Sequence, residues 1–377
     1  MIPVNQPLLD GNEKANLIAC IDSGWISSDG PFVHQFEAQF AQSIGRKFGI
    51  AVCNGSVALD VAIQALNLPP KSEVILPTFT IISCAAAIVR AGLTPVVVDC
   101  DPETWNMDPA LVAKEINANT SAIMVVHIYG LPVDMDPILT LAKTNNLKII
   151  EDGAEQIGQT YKGKKIGSFG EVSTFSFYPN KHITTGEGGM VLVDDPKLAE
   201  RCRSLRNLCF VPEKRFVHYE LGYNFRMTNL QAAVGVAQLE RLNLFLEKKR
   251  QVGKWYLEKL SGMDCFKLMP EKVSYADNIY WIFGLVLAKS FPHNAEWFMR
   301  ELAKHNIGTR PFFYPMHQQP VFKQMGLFAN KHLPIAENLA EKGFYIPSGL
   351  AITLEQVEQV VSAIKNIVSL QTSRNLS

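Results

Sequence analysis

Short apolar runs rich in β-branched residues alternate with longer amphipathic stretches through the first half of the chain, and this alternation restricts the fold more than any other feature. The runs lie at residues 73–76, 95–99, 122–126 and 147–151, and helix-like stretches at 56–66 and 137–145 fall among them. Runs so short and so uniformly apolar suit strands buried on both faces. Helices between them supply the crossovers that parallel pairing needs. The expected class is therefore α/β, a mostly parallel central sheet with helices on both faces. Residues 173–177 and 190–193 read as two more strands joined by a loop without a helical pattern, which predicts a local antiparallel hairpin.

From 228 to 260 the pattern turns helical, with Leu230, Ala233, Val234, Ala237, Leu242 and Phe245 at roughly helical spacing. We read this stretch as a bridge. A large domain over 1–240, N-terminal segment included, precedes a smaller C-terminal α/β domain over 241–377. The latter is expected to hold an alternating stretch near 280–287, a helix near 295–305 and a last helix near 354–370.

The 377 residues are 47 % hydrophobic and 19 % charged, which suits an ordered enzyme-sized protein rather than a disordered chain. Thirty-six basic residues balance thirty-six acidic ones, so nothing draws the chain generally to nucleic acid or to an anionic membrane. An anionic ligand must be held locally. Seven cysteines form no CxxC pair and several sit in apolar runs, so buried free thiols are expected rather than disulfides or a metal site. A reducing cytoplasm fits that usage. No apolar run approaches the roughly 20 residues of a membrane span, and the N-terminus lacks a basic segment followed by an apolar one.

Three segments carry chemistry. Within residues 173–195, Lys181 sits in the loop between the two hairpin strands and is followed by Gly186, Gly188 and Gly189. A lysine held in a pocket loses solvation, drops in pKa and becomes an amine nucleophile; a solvated loop lysine is the plain alternative. At residues 151–155, Asp152 and Glu155 follow a predicted parallel strand, where ligands of open α/β sheets gather. One carboxylate there could face a protonated ring nitrogen, and Asp152 would serve equally as a helix cap. Asn54, Gly55 and Ser56 follow a strand and open an apolar helix, an arrangement that offers free N–H groups to a phosphate or forms an ordinary cap.

Together these segments resemble the fold-type I aminotransferases that act on nucleotide sugars, the DegT/DnrJ/EryC1/StrS family, with similarity running from Pro3 to about Pro347. The resemblance implies pyridoxal 5′-phosphate as cofactor, Lys181 as the lysine that carries it and Asp152 as partner of its ring nitrogen. It places Gly55, Ser56 and Ser176 at the cofactor phosphate and Glu155 near the ring hydroxyl. Asn224, in the stretch GYNFRMTN, matches an asparagine that reaches the neighbouring subunit's phosphate site, which implies a homodimer with shared active sites. The segment GWISSDG, with Trp25 and Ser27, looks like the lining of the sugar-nucleotide entrance, while Arg310 and His317 lie in a segment expected to approach substrate. Trp25 could equally be a hydrophobic anchor, His317 a structural hydrogen-bonding group, and Arg226 or Arg310 a structural ion-pair partner.

One departure is Ile81, where many relatives carry an aromatic residue stacked on the cofactor ring. The implied reaction moves an amino group from L-glutamate to the C4 ketone of a nucleotide-linked 4-keto-6-deoxy sugar, with the GDP-4-keto-6-deoxymannose branch the most similar. The same chemistry serves dTDP- and UDP-linked sugars. A related dehydratase branch uses histidine in place of the lysine; here Lys181 holds that position and His182 is its neighbour. A non-catalytic sugar-nucleotide or cofactor-binding protein is the alternative of another class.

Overall fold

The computed structural model describes residues 1–211 and 213–374. Two helices, α1 (Glu13–Ser23) and α2 (Pro31–Ile44), precede β1 (Phe48–Val52). Then follow α3 (Gly55–Ala65), β2 (Glu73–Pro77), α4 (Ile82–Arg90), β3 (Thr94–Val98), α5 (Pro109–Glu115), β4 (Thr120–Val126), α6 (Met135–Asn145) and β5 (Lys148–Asp152). A small hairpin, β6 (Thr160–Tyr161) and β7 (Lys164–Lys165), leads to β8 (Val172–Ser176), β9 (Gly189–Val193), α7 (Pro196–Arg206) and α8 (Asn229–Glu240). Proline at the first turn of α2, α5 and α7 costs no helical hydrogen bond and presets φ there.

These strands form a seven-stranded sheet in the order β1-β9-β8-β5-β4-β2-β3. Only β9 runs against its neighbours, pairing with β8 (Val172↔Val193) and with β1 (Phe48↔Val193), so the expected hairpin in an otherwise parallel sheet is present. Because β1, β5 and β8 point the same way, the residues that follow or end them (Gly55, Asp152, Ser176) gather along one sheet edge. Helix α2 locks β8 in place from below. Phe40 meets Phe175 and Phe177 edge-on at 5.0 and 5.1 Å, contacts worth about 0.5–1.5 kcal/mol each beyond burial.

The helical stretch read as one bridge is two helices. Helix α8 opens on a capping box between Thr228 and Gln231, and Arg241, at φ −110° and ψ 8°, separates it from α9 (Leu242–Leu260). No glycine or proline marks the break. Beyond it come β10 (Phe266–Leu268), a ribbon of β11 (Lys272–Val273) and β12 (Ala276–Asp277), β13 (Phe283–Leu287), α10 (Ala295–Lys304) and β14 (Arg310–Pro311). The chain ends with α11 (Pro320–Gln324), α12 (Pro334–Lys342), β15 (Gly343–Ile346) and α13 (Leu354–Arg374). The second sheet is antiparallel, in the order β10-β13-β15-β14. Its core joins Tyr256 of α9, Leu285 of β13, Phe298 of α10 and Ile364 of α13.

Two features differ from the sequence expectation. Strand β13 is buried at every residue rather than alternating, since Trp105 and Phe312 crowd the face at Gly284 while helices cover the other. The first residues, grouped with the large domain, bond instead to the C-terminal part. Ile2 N–H donates to Asn306 O (2.8 Å), and Ser348 N–H donates to Val4 O (3.2 Å). Unpaired backbone groups beside β14 and β15 need partners, and the N-terminal strap supplies them. Among the described residues no helix is long and apolar enough to cross a membrane, and no cluster of His, Cys, Asp and Glu could hold a metal ion. All seven cysteines are free.

Candidate active site

A cleft of about 730 Å³ opens over the edge where β1, β5 and β8 end. Lys181 enters it from the loop between β8 and β9. That loop is closed on itself, with Phe177 N–H donating to Gly188 O (2.9 Å), Thr185 N–H to Phe177 O (3.0 Å) and Lys181 N–H to Tyr178 O (2.9 Å). A loop so pinned holds the lysine stem in one place. Its Nζ lies 3.9 Å from Glu155 Oε1 and 4.0 Å from the centroid of the Trp281 ring. Burial pushes the Lys181 pKa below its ordinary value, opposed by the carboxylates of Glu155 and Asp152. Burial pushes Glu155 the other way, upward, against the pull of Lys181 and of Tyr129 N–H, which donates to Glu155 Oε2 at 2.9 Å. Both groups therefore lean toward neutrality.

Asp152 ends β5 as a buried carboxylate without a cation within 4.0 Å among the described residues. Its Oδ1 accepts Ala154 N–H at 3.0 Å, and its Oδ2 accepts the Cys84 thiol of α4 at 3.4 Å. Burial raises its pKa despite those bonds and the charge of Lys181. A buried carboxylate so fixed, and still short of positive charge, suits a cationic N–H facing it.

The third part is an anion cradle. Asn54 caps α3 through its Oδ1, which accepts Val57 N–H at 3.0 Å, so the cap and the ligand-facing helix end coexist. Ser56 Oγ meets Ser83 Oγ at 2.7 Å, and Ser176 stands opposite at the end of β8. Gly55 is required by space. A Cβ there would come within 2.6 Å of the Ser176 Cβ and close the cradle.

The cleft thus brings together Gly55, Ser56, Asp152, Glu155, Ser176, Lys181 and Arg310, and Ile81 lies on its wall at the start of α4. It does not bring in four other residues singled out by sequence. Trp25 and Ser27 are exposed, their carbonyls taken by Asn229 Nδ2 (2.6 Å) and Asn229 N–H (2.8 Å), which tie their segment to the start of α8. Asn224 is exposed outside the cleft of its own chain, in a bridge with Asn207. His317 is placed away from the cleft and buried. Its imidazole is engaged by Thr78 Oγ1 (2.8 Å) and Glu337 Oε1 (2.9 Å), which hold the residues after β14 against the end of β2. Arg226 donates to Asn207 Oδ1 (2.6 Å), and His182 is buried with Nε2–H donating to Ile279 O (3.3 Å).

Sequence reading missed Trp281, Ser83, Cys84 and Tyr345. Ser83 and Cys84 had a legible signal, two small polar residues opening a helix directly after a parallel strand. Trp281 and Tyr345 had none, because they come from distant parts of the chain, the bend before β13 and strand β15.

The model of the DegT/DnrJ/EryC1/StrS aminotransferase family matches residues 7–365. A GDP-perosamine synthase of Caulobacter vibrioides is 40 % identical over 97 % of this chain and 98 % of its own length. One of Escherichia coli O157:H7 is 40 % identical over 98 % of this chain and 99 % of its own. Among solved structures, the aminotransferase TlmJ from Streptoalloteichus hindustanus superposes with a TM-score of 0.91 at 29 % identity, covering 99 % of this chain and all of the other. The chain belongs to the DegT/DnrJ/EryC1/StrS aminotransferase family; it is an aminotransferase, and its cofactor is pyridoxal phosphate. The cleft fits that group. A cradle of hydroxyls and helix N–H groups suits its phosphate, the uncompensated Asp152 its ring nitrogen, and the buried Lys181 amine its aldehyde.

Proposed function

We propose that this aminotransferase takes an amino group from L-glutamate and places it on C4 of GDP-4-keto-6-deoxymannose, forming GDP-perosamine. What carries the chemistry is one juxtaposition, the Lys181 amine 3.9 Å from Glu155 in the same cleft as the cation-poor Asp152. What supports the sugar is the likeness, along essentially the whole chain, to the two GDP-perosamine synthases.

Bound pyridoxal phosphate supplies an electron-withdrawing ring that accepts electrons from a breaking Cα–H bond. The protein does the rest. Ser56, Ser83, Ser176 and the N-terminus of α3 hold the phosphate without lysine or arginine, through hydroxyls and helix N–H groups. Asp152, its two oxygens fixed by Ala154 and Cys84, keeps a proton on the ring nitrogen by charge. Lys181 Nζ, desolvated and so partly neutral, is able to take a proton and return it. Glu155, whose Oε1 lies 3.9 Å from Nζ, stabilises the protonated amine by charge.

Trp281 and Phe313 wall the cleft with apolar surface, so water has reduced access to the proton on Nζ. Asn224 serves the neighbouring subunit's phosphate site in this reading, and the active unit is a homodimer, located in the cytoplasm. The experiment is a panel of GDP-, dTDP- and UDP-linked 4-keto-6-deoxy sugars, each incubated with L-glutamate and the loaded enzyme, with amino-sugar products read by mass spectrometry. Product from the GDP sugar at the highest kcat/KM is expected; preference for another nucleotide overturns the assignment.

A further inference from the structure

We propose that the Tyr345 hydroxyl pairs with the hydroxyl next to the ketone of the keto sugar, so that this side chain helps the cleft select its amino acceptor. The proposal rests on the reading above, an aminotransferase acting on a nucleotide-linked keto sugar, and adds the group that reads the sugar. Strand β15 pairs on one side with β14 through Arg310↔Tyr345 and on the other with β13 through Gly284↔Tyr345. Residues directly opposite on paired strands share a face of the sheet. Tyr345 therefore leaves the second sheet on the side where Trp105 and Phe312 crowd Gly284, and it packs into the core that also holds Trp105 and Tyr129. Its ring stands 6.4 Å from that of Tyr129, the residue whose N–H holds Glu155.

Five residues line both the cleft and a smaller cavity of about 120 Å³ beside it: Tyr178, Asn180, Trp281, Arg310 and Tyr345. The Trp281 N–H is donated to Asn180 O (2.7 Å), Asn180 Oδ1 is sealed within the wall, Tyr178 is 43 % exposed and open to water, and Arg310 carries a charge. Tyr345 is the neutral group that remains. It is 9 % exposed, and its hydroxyl makes no hydrogen bond among the described residues. Burial pushes its pKa up to about 12, opposed by the Arg310 charge and assisted by Glu155 and Tyr178, so the phenol keeps its proton at neutral pH. The same influences place its oxygen within electrostatic reach of Glu155, on the side of the cleft where Glu155 Oε1 lies 3.9 Å from Lys181 Nζ. A ligand that fills the cleft takes water from that hydroxyl and must pair it or lose affinity.

A phenol both donates and accepts, which matches a neutral hydroxyl, whereas a carboxylate only accepts and draws its strong bonds from charged donors. The two substrates differ in this respect. Glutamate carries carboxylates and methylenes around its reacting carbon, while the keto sugar carries a hydroxyl on the carbon next to its ketone. The ketone carbon has to approach Lys181 Nζ for that amine to move its proton. The neighbouring hydroxyl is then one carbon from the reacting centre, in the region where Glu155 and Tyr345 act on each other. The base and phosphates of the nucleotide lie at the other end of the molecule, so Tyr345 reads the sugar and leaves the nucleotide to other groups.

The test uses Tyr345→Phe in the full-length protein, with the nucleotide-linked 4-keto-6-deoxy sugar that gives most product in the panel above and with its 3-deoxy analogue. Bleaching of the yellow loaded enzyme by L-glutamate isolates the donor step, and return of the colour when sugar is added isolates the acceptor step. The corresponding nucleotide-linked 6-deoxyhexose, which has no ketone, and the nucleoside diphosphate alone are titrated into the apoenzyme by calorimetry. Tyr345→Phe is expected to slow colour return at limiting sugar by about tenfold and to weaken the 6-deoxyhexose by a similar factor, with glutamate bleaching and nucleoside diphosphate affinity within about twofold. Wild type is expected to disfavour the 3-deoxy analogue by about tenfold or more, and Tyr345→Phe to take sugar and analogue within about twofold of each other. A variant that keeps the full preference for the 3-hydroxyl, or whose loss falls on glutamate bleaching, overturns the proposal. Wild-type enzyme that glutamate bleaches but no panel sugar restores would refute the sugar reading and this proposal with it, so the two failures are distinguishable.

Discussion

The Trp281 ring lies against the Lys181 amine, 4.0 Å from Nζ to the ring centroid, while its indole N–H donates to the carbonyl of Asn180, the residue before that lysine. One side chain from the bend before β13 therefore grips the lysine loop twice, at the backbone and at the amine. The carbonyl of the same residue accepts from Lys249 Nζ at 2.8 Å, which fixes Trp281 from behind.

That double grip predicts a graded series. Trp281→Phe keeps a ring face but leaves the Asn180 carbonyl without its donor, at a cost of about 1–3 kcal/mol. Trp281→Leu loses the ring as well, a further ~0.5–2 kcal/mol of cation–π contact. Single-turnover bleaching by L-glutamate is expected to slow by about tenfold in the first and by about a hundredfold in the second, with circular dichroism unchanged. Equal rates for the two variants would show that the ring face does nothing for the amine.

Asp152→Asn separates stability from chemistry. Burial raises the folded-state pKa of Asp152 above its unfolded value, so the folded chain binds the proton more tightly. Its contribution to stability is then fully present below the unfolded pKa and is lost as pH rises through the folded one. At neutral pH the carboxylate is a net cost to the apoenzyme. The asparagine variant, measured without cofactor, is expected to melt at the wild-type temperature or above it, while its half-reaction with glutamate falls by orders of magnitude. A lower apoenzyme Tm together with an unchanged half-reaction would contradict both parts.

The sheet, its single reversed strand and the lysine loop were legible because each is written locally, in apolar runs, turn residues and a lysine ahead of glycines. What was not legible is tertiary. Trp281 lies a hundred positions from Lys181 and looks like any core aromatic until β13 is placed beside the lysine loop. For His317 the sequence left two readings open, a substrate contact implied by the resemblance and a structural hydrogen-bonding group, and only the fold shows Thr78 and Glu337 engaging its ring. Asp10, far upstream, pairs with Arg241 where α8 gives way to α9, and no local breaker residue announces that bend.

Lys249 gives a pH-dependent prediction. It is buried, its ammonium donates to Trp281 O and Ser348 O without a carboxylate partner, and burial lowers its pKa to about 7. Between that value and the unfolded pKa of about 10.4 the unfolded chain binds more protons than the folded one, so stability rises with pH through the window. Below pH 7 both states are protonated and the burial penalty is constant. Lys249→Met abolishes this slope, although it strands two carbonyls and lowers the absolute Tm. The Tm difference between wild type and variant is expected to widen from pH 7 to pH 10, as the difference in unfolding free energy grows by an amount on the order of 4 kcal/mol at the limit. A parallel pair of Tm curves would mean that Lys249 keeps an ordinary pKa.

Asn224 tests whether two chains share a site. It is exposed, outside its own cleft, and near it the side chains of Phe216, Tyr219 and Leu221 are 82 %, 77 % and 90 % exposed, apolar surface that an isolated chain leaves in water. In the shared-site reading a second subunit covers that surface and Asn224 completes the partner's phosphate cradle, which in one chain consists of hydroxyls and helix N–H groups alone. Lys181→Ala chains and Asn224→Ala chains are each expected to be inactive. Mixed, they form heterodimers in which one site combines Lys181 from one chain with Asn224 from the other, while the second site lacks both. With random exchange half the dimers are heterodimers and each carries one good site, so about a quarter of wild-type activity is expected at equal mixing. Differential tags verify that exchange has occurred. Tagged heterodimers with no activity above the two parents, or a stable monomer that turns over normally, would show that each chain completes its own site.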